Sequence, residues 1–449
     1  MRGISINKAA EICKGRIIGG EDNSREITSV CIDSRKACSG AMFAALKGEH
    51  VDGHDYISKA FELGAVCCLA EHVPDGVNGA VIVVEDVALA LKVLAEAYRR
   101  TLNIPIIGIA GSVGKTTAKE MIAAVLSQRY NVLKTDKNLN NELGVPLTIF
   151  RIEPEHEVAV IEMGISDFGE MRRLAKMVRP TMALYTVIGH CHLEQLVDRN
   201  GVLKAKTEML EYMSDDAILF MNGDDDLLAG FECKQRKVLY GLGENSAVRA
   251  ENVISDSLSG LSCDVVAGDR RFKVDTPVYG LHMVNAVLEG AAVGIEFGFS
   301  DEEIARGIAS FEVVGRRANV VNTGYITLID DCYNANPDSV KMGIKSFPND
   351  GSRKVCILGD MYELGTDCDK LHREVGEFAA ENGVQLVLTV GEFSKHLSAG
   401  AAKTETKHFN SNDEIIPELK NLIKKGDTVL VKASHIMKFE EISEALKLL

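Results

Sequence analysis

The chain has 449 residues, 46% of them apolar and 26% charged, with a formal net charge of −15. The length suggests about three domains and the composition a globular chain with a sizeable core. The acidic balance argues against nucleic-acid partners, and no apolar run approaches the roughly 20 residues of a bilayer span, so neither nucleic-acid binding nor membrane insertion is expected.

The N-terminus lacks the long apolar core of a secretory signal, which points to a cytoplasmic location. Eleven cysteines are scattered with no C-x-x-C pair and no zinc spacing, so reduced thiols are expected.

Residues 1–103 read as a first α/β unit. Apolar runs at 27–32, 41–46, 66–69 and 80–84 have strand character, while 55–63 and 87–101 have helical character. The polar stretch Asp33-Ser34-Arg35 between the first two strands fits ordinary turn chemistry.

A second unit opens at Pro105. The apolar run 104–110 breaks at Gly111 and a helical run, 116–130, follows Gly114 and Lys115. Strand, glycine loop, Lys-Thr and helix is the build of a phosphate cradle. Backbone N–H groups can turn inward around an anion there, and the helix N-terminus adds unpaired donors. Lys115 would reach the outer phosphates, and the Thr116 hydroxyl is placed for Mg²⁺. The usual G-x-x-x-x-G-K-[ST] pattern is varied, because Ile109 stands where its first glycine belongs and Gly108 lies one residue earlier. A plain glycine turn between strand and helix is the other reading.

Beyond a short strand at 131–133 comes Lys137-Asn138-Leu139-Asn140-Asn141, whose asparagines suit either loop caps or donors to a polar ligand. The strand 158–161 ends at Glu162, where nucleotide-bound Mg²⁺ is commonly held; a solvated strand-end acid is the alternative. The strand 183–188 runs into Gly189-His190-Cys191-His192-Leu193-Glu194. A histidine and an acid two residues apart would sit there at the mouth of a parallel sheet. The helical run 201–212 carries Lys204 and Lys206, about 200° apart around the axis and so on different faces. Residues 217–221 read as a strand, and 248–274 alternate like a small antiparallel excursion. A helix starts around Gly280-Leu281-His282-Met283-Val284-Asn285, another spans 301–311, and 314–317 reads as a hinge.

Residues 315–449 repeat the alternation. Strands at 327–329, 355–358, 384–390 and 428–431 alternate with helices, giving a second doubly wound unit whose loops carry acids and asparagines. Residue logic alone reaches ATP-dependent phosphoryl transfer.

Several stretches together resemble the Mur ligases, ATP-dependent amide-forming enzymes of peptidoglycan precursor synthesis. They are Asp33-Ser-Arg35, Gly111 to Thr117, Asn138-Leu-Asn-Asn141, Glu162-Met-Gly164, His192-Leu-Glu194 with Ala205-Lys206, Gly280-x-His282-x-x-Asn285, Tyr333-Asn-Ala-Asn-Pro337 and Gly359-Asp-Met-x-Glu-Leu-Gly365. The resemblance implies an α/β chain of three domains. These are a mixed α/β N-terminal domain (1–103) for the UDP-sugar end of the substrate, a central P-loop doubly wound domain (104–314) for ATP, and a Rossmann-like C-terminal domain (315–449) for the incoming amine. The last two stretches imply the activity that joins D-alanyl-D-alanine to UDP-N-acetylmuramoyl-tripeptide through an acyl phosphate, in a monomer.

The same resemblance implies roles. ATP would be held by Gly111, Ser112, Val113, Gly114, Lys115, Thr116, Thr117, Asn285, Arg316 and Asp331. Mg²⁺ would be held by Thr116, Glu162, His192 and Lys206, the last as a carbamate, with Lys115, Lys206 and His192 catalytic. Asp33, Ser34, Arg35, Asn138, Asn140 and Asn141 would contact substrate. This chain departs from the family in having Thr186-Val187 for Thr-Asn, Lys137 where glycine is frequent, and Lys432-Ala-Ser-His435 for Lys-Gly-Ser-Arg. Two other readings are open to this sequence. A P-loop switch protein would call for Asn-Lys-x-Asp after a later strand, which this sequence lacks. A nearer one is a related ligase, such as a folylpolyglutamate-type synthase or the enzyme adding the third peptide residue.

Overall fold

The computed structural model describes residues 1–255 and 260–449. Its strands form three sheets built from successive stretches of chain. Residues 100–105 and 310–318 connect the elements of one sheet to those of the next.

The first sheet holds β1 (Arg16–Ile18), β2 (Ser29–Cys31), β3 (Ala41–Ala44), β4 (Cys67–Ala70) and β5 (Ala80–Val83) in the order β1-β5-β4-β3-β2. Only β1 runs antiparallel to its neighbour. Every residue of β3 and β4 is buried, which is why these strands read as unbroken apolar runs. The helix Val87–Arg99, capped by Asp86, carries this unit onto the second one. Tyr98 donates to Ile152 O at 2.5 Å and Arg99 Nε to Val178 O at 2.8 Å.

The central sheet contains β6 (Ile106–Ala110), β7 (Val132–Lys134), β8 (Val158–Glu162), β9 (Met182–Tyr185), β10 (Ile218–Asn222), β11 (Arg236–Gly241), β12 (Val248–Ile254), β13 (Leu261–Ala267) and β14 (Arg270–Thr276). Their order is β14-β13-β12-β11-β10-β9-β6-β8-β7. The strands from β7 across to β12 are parallel, and the direction of winding reverses around β6. Ligands of doubly wound sheets sit at such a reversal, beyond the carboxyl ends of the strands. The expected excursion at 248–274 is antiparallel within β12 to β14 but extends the main sheet, because β12 pairs with β11; residues 256–259 of it lie outside the described residues. The strand expected to reach 188 stops at Tyr185. Its continuation leaves the sheet to bond with the glycine loop, as described below.

The C-terminal sheet holds β15 (Asn319–Asn322), β16 (Thr327–Asp330), β17 (Lys354–Gly359), β18 (Leu386–Val390), β19 (Glu405–Phe409) and β20 (Thr428–Lys432) in the order β15-β16-β20-β17-β18-β19. All pairs but β15–β16 are parallel. The ends of β16 and β20 bring Asp331 and Lys432 together at 2.7 Å. No helix among the described residues is long and apolar enough to cross a membrane.

Candidate active site

The glycine loop sits between β6 and the helix Lys115–Leu126. Two of its residues require glycine. A Cβ on Gly111 (φ +152°) would lie 1.9 Å from Thr186 Oγ1, and Gly114 caps the helix with φ +87°. The segment after β9 clamps the loop from below. Thr186 Oγ1 donates to Val113 O at 2.5 Å, and Ser112 N–H donates to Val187 O at 2.7 Å. Ser112 Oγ accepts from Gly189 N at 3.0 Å and from Cys191 Sγ at 3.1 Å. Position 187 therefore serves the loop through its carbonyl, which explains why Val can stand there. Lys115 Nζ donates to Gly111 O at 2.8 Å, folded back over the loop.

Beside the loop, Glu162 closes β8 with only 2% of its surface exposed. One carboxylate oxygen accepts from Thr116 Oγ1 and the other from Asn140 Nδ2, each at 2.8 Å. Behind it, Thr135 Oγ1 accepts from Glu162 N at 3.0 Å, and buried Lys119 holds Thr135 O at 2.6 Å. The two readings of the asparagines thus divide by residue. Asn140 is the donor to the acid, while Asn141 Oδ1 accepts from Leu143 N and Gly144 N as a cap for the helix Gly144–Phe150. Asn138 is exposed on the cavity wall.

His192 enters the cavity with left-handed backbone, φ +52°. Its acidic neighbour is Glu363 of the C-terminal unit, Nδ1 to Oε2 at 2.5 Å, off the hydrogen-bond axis. Glu194, the acid expected beside it, faces solvent, because the turn from His192 into the helix Leu193–Leu196 points it outward. The rotation argument for the lysines holds: Lys204 is exposed and Lys206 is 1% exposed. Burial lowers the Lys206 pKa to about 8, with Cys191 opposing and Lys115 assisting. No carboxylate among the described residues lies within ion-pair distance of the Lys206 amine.

Loop, acid, histidine and the C-terminal unit line one cavity of about 440 Å³. The C-terminal unit contributes Arg317, Asp331, Tyr333, Asn334, Asn336 and Lys432. Asp331 lines the cavity and accepts from Ala318 N at 3.1 Å and from Lys432 Nζ. The structure does not bring Arg316 to the cavity. Its guanidinium is held by Asp330 at 2.7 Å and Glu444 at 2.6 Å, and the next residue, Arg317, lines the cavity instead with its guanidinium 3.9 Å over the Tyr333 ring. Asn285 lines the cavity from the first turn of the helix Met283–Glu296. Asp33, Ser34 and Arg35 lie in the 3₁₀ turn after β2 and do not line it; Asp33 caps that turn and pairs with Arg35 at 2.9 Å.

The sequence reading passed over Arg317, Glu289, Lys119 and the pairing of Glu363. The one visible signal is an acid, Glu289, in the middle of the largely apolar helix Met283–Glu296. The others depend on side chains meeting across elements.

The donor set suits a hard cation. Thr116 and Glu162 offer oxygens beside the glycine loop, and His192 lines the same cavity with Glu363 against its Nδ1. Among the described residues no group of three or more His, Cys, Asp or Glu residues converges. Mg²⁺ needs no such cage, because it is normally held by one or two carboxylates together with phosphates and water.

Three family models match the chain: "Mur ligase family, catalytic domain" over residues 26–130, "Mur ligase middle domain" over 109–294 and "Mur ligase, glutamate ligase domain" over 316–435. A UDP-N-acetylmuramoyl-tripeptide–D-alanyl-D-alanine ligase from Bacillus subtilis is 35% identical, with 98% of each chain covered. Among solved structures, MurF from Acinetobacter baumannii is 28% identical with a TM-score of 0.91 over the whole of both chains. MurF from Thermotoga maritima, solved in complex with ADP, is 26% identical with a TM-score of 0.82 over 94% of this chain and 97% of that one. With a glycine loop, a facing acid and a C-terminal unit lining one cavity, and with likeness along its full length, this chain belongs to the Mur ligase family.

Proposed function

We propose that the chain joins D-alanyl-D-alanine to UDP-N-acetylmuramoyl-tripeptide at the expense of ATP, in the cytoplasm. One observation carries the reading: the phosphate loop and the C-terminal unit line the same cavity, so a nucleotide on the loop faces residues of a second domain. The relative of 35% identity carries that activity in its name, and the 26% identical neighbour was solved with ADP.

The loop N–H groups and Lys115 would hold the β- and γ-phosphates. A carboxylate oxygen of the tripeptide attacks the γ-phosphorus, the bond to the bridging oxygen breaks, and ADP leaves an acyl phosphate. The amine of D-alanyl-D-alanine then attacks the acyl carbon, the amide forms and phosphate departs. A free carboxylate would have to expel oxide, so phosphorylation supplies the missing leaving group. Thr116, Glu162, His192 and Lys206 would hold Mg²⁺, which neutralises charge on the phosphate oxygens. Lys206 fits that set only as an anion. Its unpaired amine, with a pKa near 8, is neutral often enough to add CO₂ and lose a proton, giving a carbamate. In this reading Asn285 contacts the base, Asp331 contacts the nucleotide from the cavity wall, and Asp33, Ser34 and Arg35 meet the UDP end.

The test is ADP release across a panel of UDP-peptides and amines. Release should require both UDP-N-acetylmuramoyl-tripeptide and D-alanyl-D-alanine. Release with a folate and glutamate, or with the dipeptide precursor and a single amino acid, would overturn the assignment.

A further inference from the structure

Glu289 lies one turn beyond Asn285 on the helix Met283–Glu296, so both face the same way. It is 3% exposed and yet lines the cavity, beside the apolar side chains of Met283, Ala286 and Phe311. A buried carboxyl in a mostly alanine and valine helix face is costly unless something uses it.

Its partner fixes its protonation. Tyr240 Oη lies 2.9 Å from Tyr185 O and 2.8 Å from Glu289 Oε1. A tyrosine hydroxyl has one proton, and a backbone carbonyl can only accept. The hydroxyl therefore donates to Tyr185 O, and the contact with Glu289 is attractive only if the carboxyl is protonated and donates to Tyr240. Burial agrees, raising the Glu289 pKa to about 8. Held this way, the second oxygen of Glu289 is a neutral acceptor, and it has no hydrogen-bond partner among the described residues.

We propose that Glu289 accepts a hydrogen bond from the exocyclic amino group of adenine, making the Tyr240–Glu289 pair a reader of the nucleotide base. A base with a carbonyl at that position, as in guanine or hypoxanthine, would set acceptor against acceptor. A base with hydrogen there would leave the buried oxygen unpaired. The inference rests on the reading that ATP occupies this cavity.

The experiment compares kcat/KM for ATP and for purine riboside triphosphate, which lacks only the amino group, with both other substrates saturating. The wild type should favour ATP by about tenfold or more, the value of one hydrogen bond to a buried group. Glu289→Met should bring the ratio near one by weakening ATP alone. Glu289→Gln should restore it, because its amide NH₂ can donate to Tyr240 while its carbonyl keeps the acceptor in place. Equal use of both nucleotides by the wild type, or an unchanged ratio in Glu289→Met, overturns the proposal. Absence of turnover with any triphosphate would instead remove the ATP reading beneath it. Should Glu289→Met fail to fold, infrared difference spectra of the wild type decide. The protonated-carboxyl band lost in Glu289→Gln should shift when ATP binds and stay still with purine riboside triphosphate; an unmoved band with ATP overturns the proposal.

Discussion

His192 and Glu363 meet across the junction of the central and C-terminal units, Nδ1 to Oε2 at 2.5 Å, and both have left-handed backbone, with φ of +52° and +61°. Left-handed backbone costs a side-chain-bearing residue about 1–2 kcal/mol. Each persists because Leu193 N donates to Glu363 O at 2.8 Å, locking the two turns together. The His192 ring beside Glu363 holds that carboxyl below its ordinary range, against a smaller effect of burial. A carboxylate on one ring nitrogen orients the other toward a ligand. Glu363→Gln should therefore lower turnover by about 10–100-fold and raise the Mg²⁺ concentration needed for half-maximal rate. Steady-state kinetics over a Mg²⁺ titration would show it, and an unchanged Mg²⁺ dependence would remove the role.

Among the described residues Lys115 bonds only to Gly111 O, and it is half-buried. Lys115→Ala should keep the fold and its melting temperature while reducing kcat by at least about 10²–10³-fold, the usual cost of losing one charge-stabilising donor. ADP-release kinetics beside circular dichroism separate the two effects.

Lys206 is buried with no acidic partner among the described residues. Protein prepared without CO₂ should lose turnover and regain it with bicarbonate, and Lys206→Ala should be rescued in part by short carboxylates such as formate. Full activity of the alanine variant without rescue would refute the carbamate.

Glu289 also makes stability depend on pH. Its folded pKa, about 8, lies above its ordinary value of 4.5. The folded state thus binds the extra proton between these values, and the unfolded state does not. The stabilisation is fully present below the lower value and gone once pH has risen through about 8, an effect of a few kcal/mol at most. Denaturant titrations from pH 5 to 8 should show a decline that Glu289→Gln flattens.

Lys137 occupies a left-handed position, φ +48°, exposed beside Asn138. Glycine would adopt that conformation without strain. Lys137→Gly should raise stability by up to about 1 kcal/mol, the relief of strain less the extra entropy of the unfolded chain. A loss of stability would show that the lysine side chain matters.

Patterns local in sequence were legible. The apolar strand into Gly111, the Lys-Thr pair and the following helix needed only periodicity and glycine geometry, and the buried strands β3, β4, β6 and β8 stood out as runs. The three-residue strand β1 and the early end of β9 were not legible. The first is a short edge pairing, and the second is decided by a glycine loop more than seventy residues earlier in the chain.

The order of residues alone determined that a strand, a glycine loop and a helix meet at 111–117 and that Glu162 closes the strand 158–161, because both follow from neighbours a few bonds apart. Only the tertiary structure decided that Glu363 rather than Glu194 accompanies His192, that Arg317 rather than Arg316 faces the cavity, and that Glu289 keeps its proton. Each depends on the direction of a side chain and on what a distant element sets against it, and these arise only when separate stretches of backbone pack.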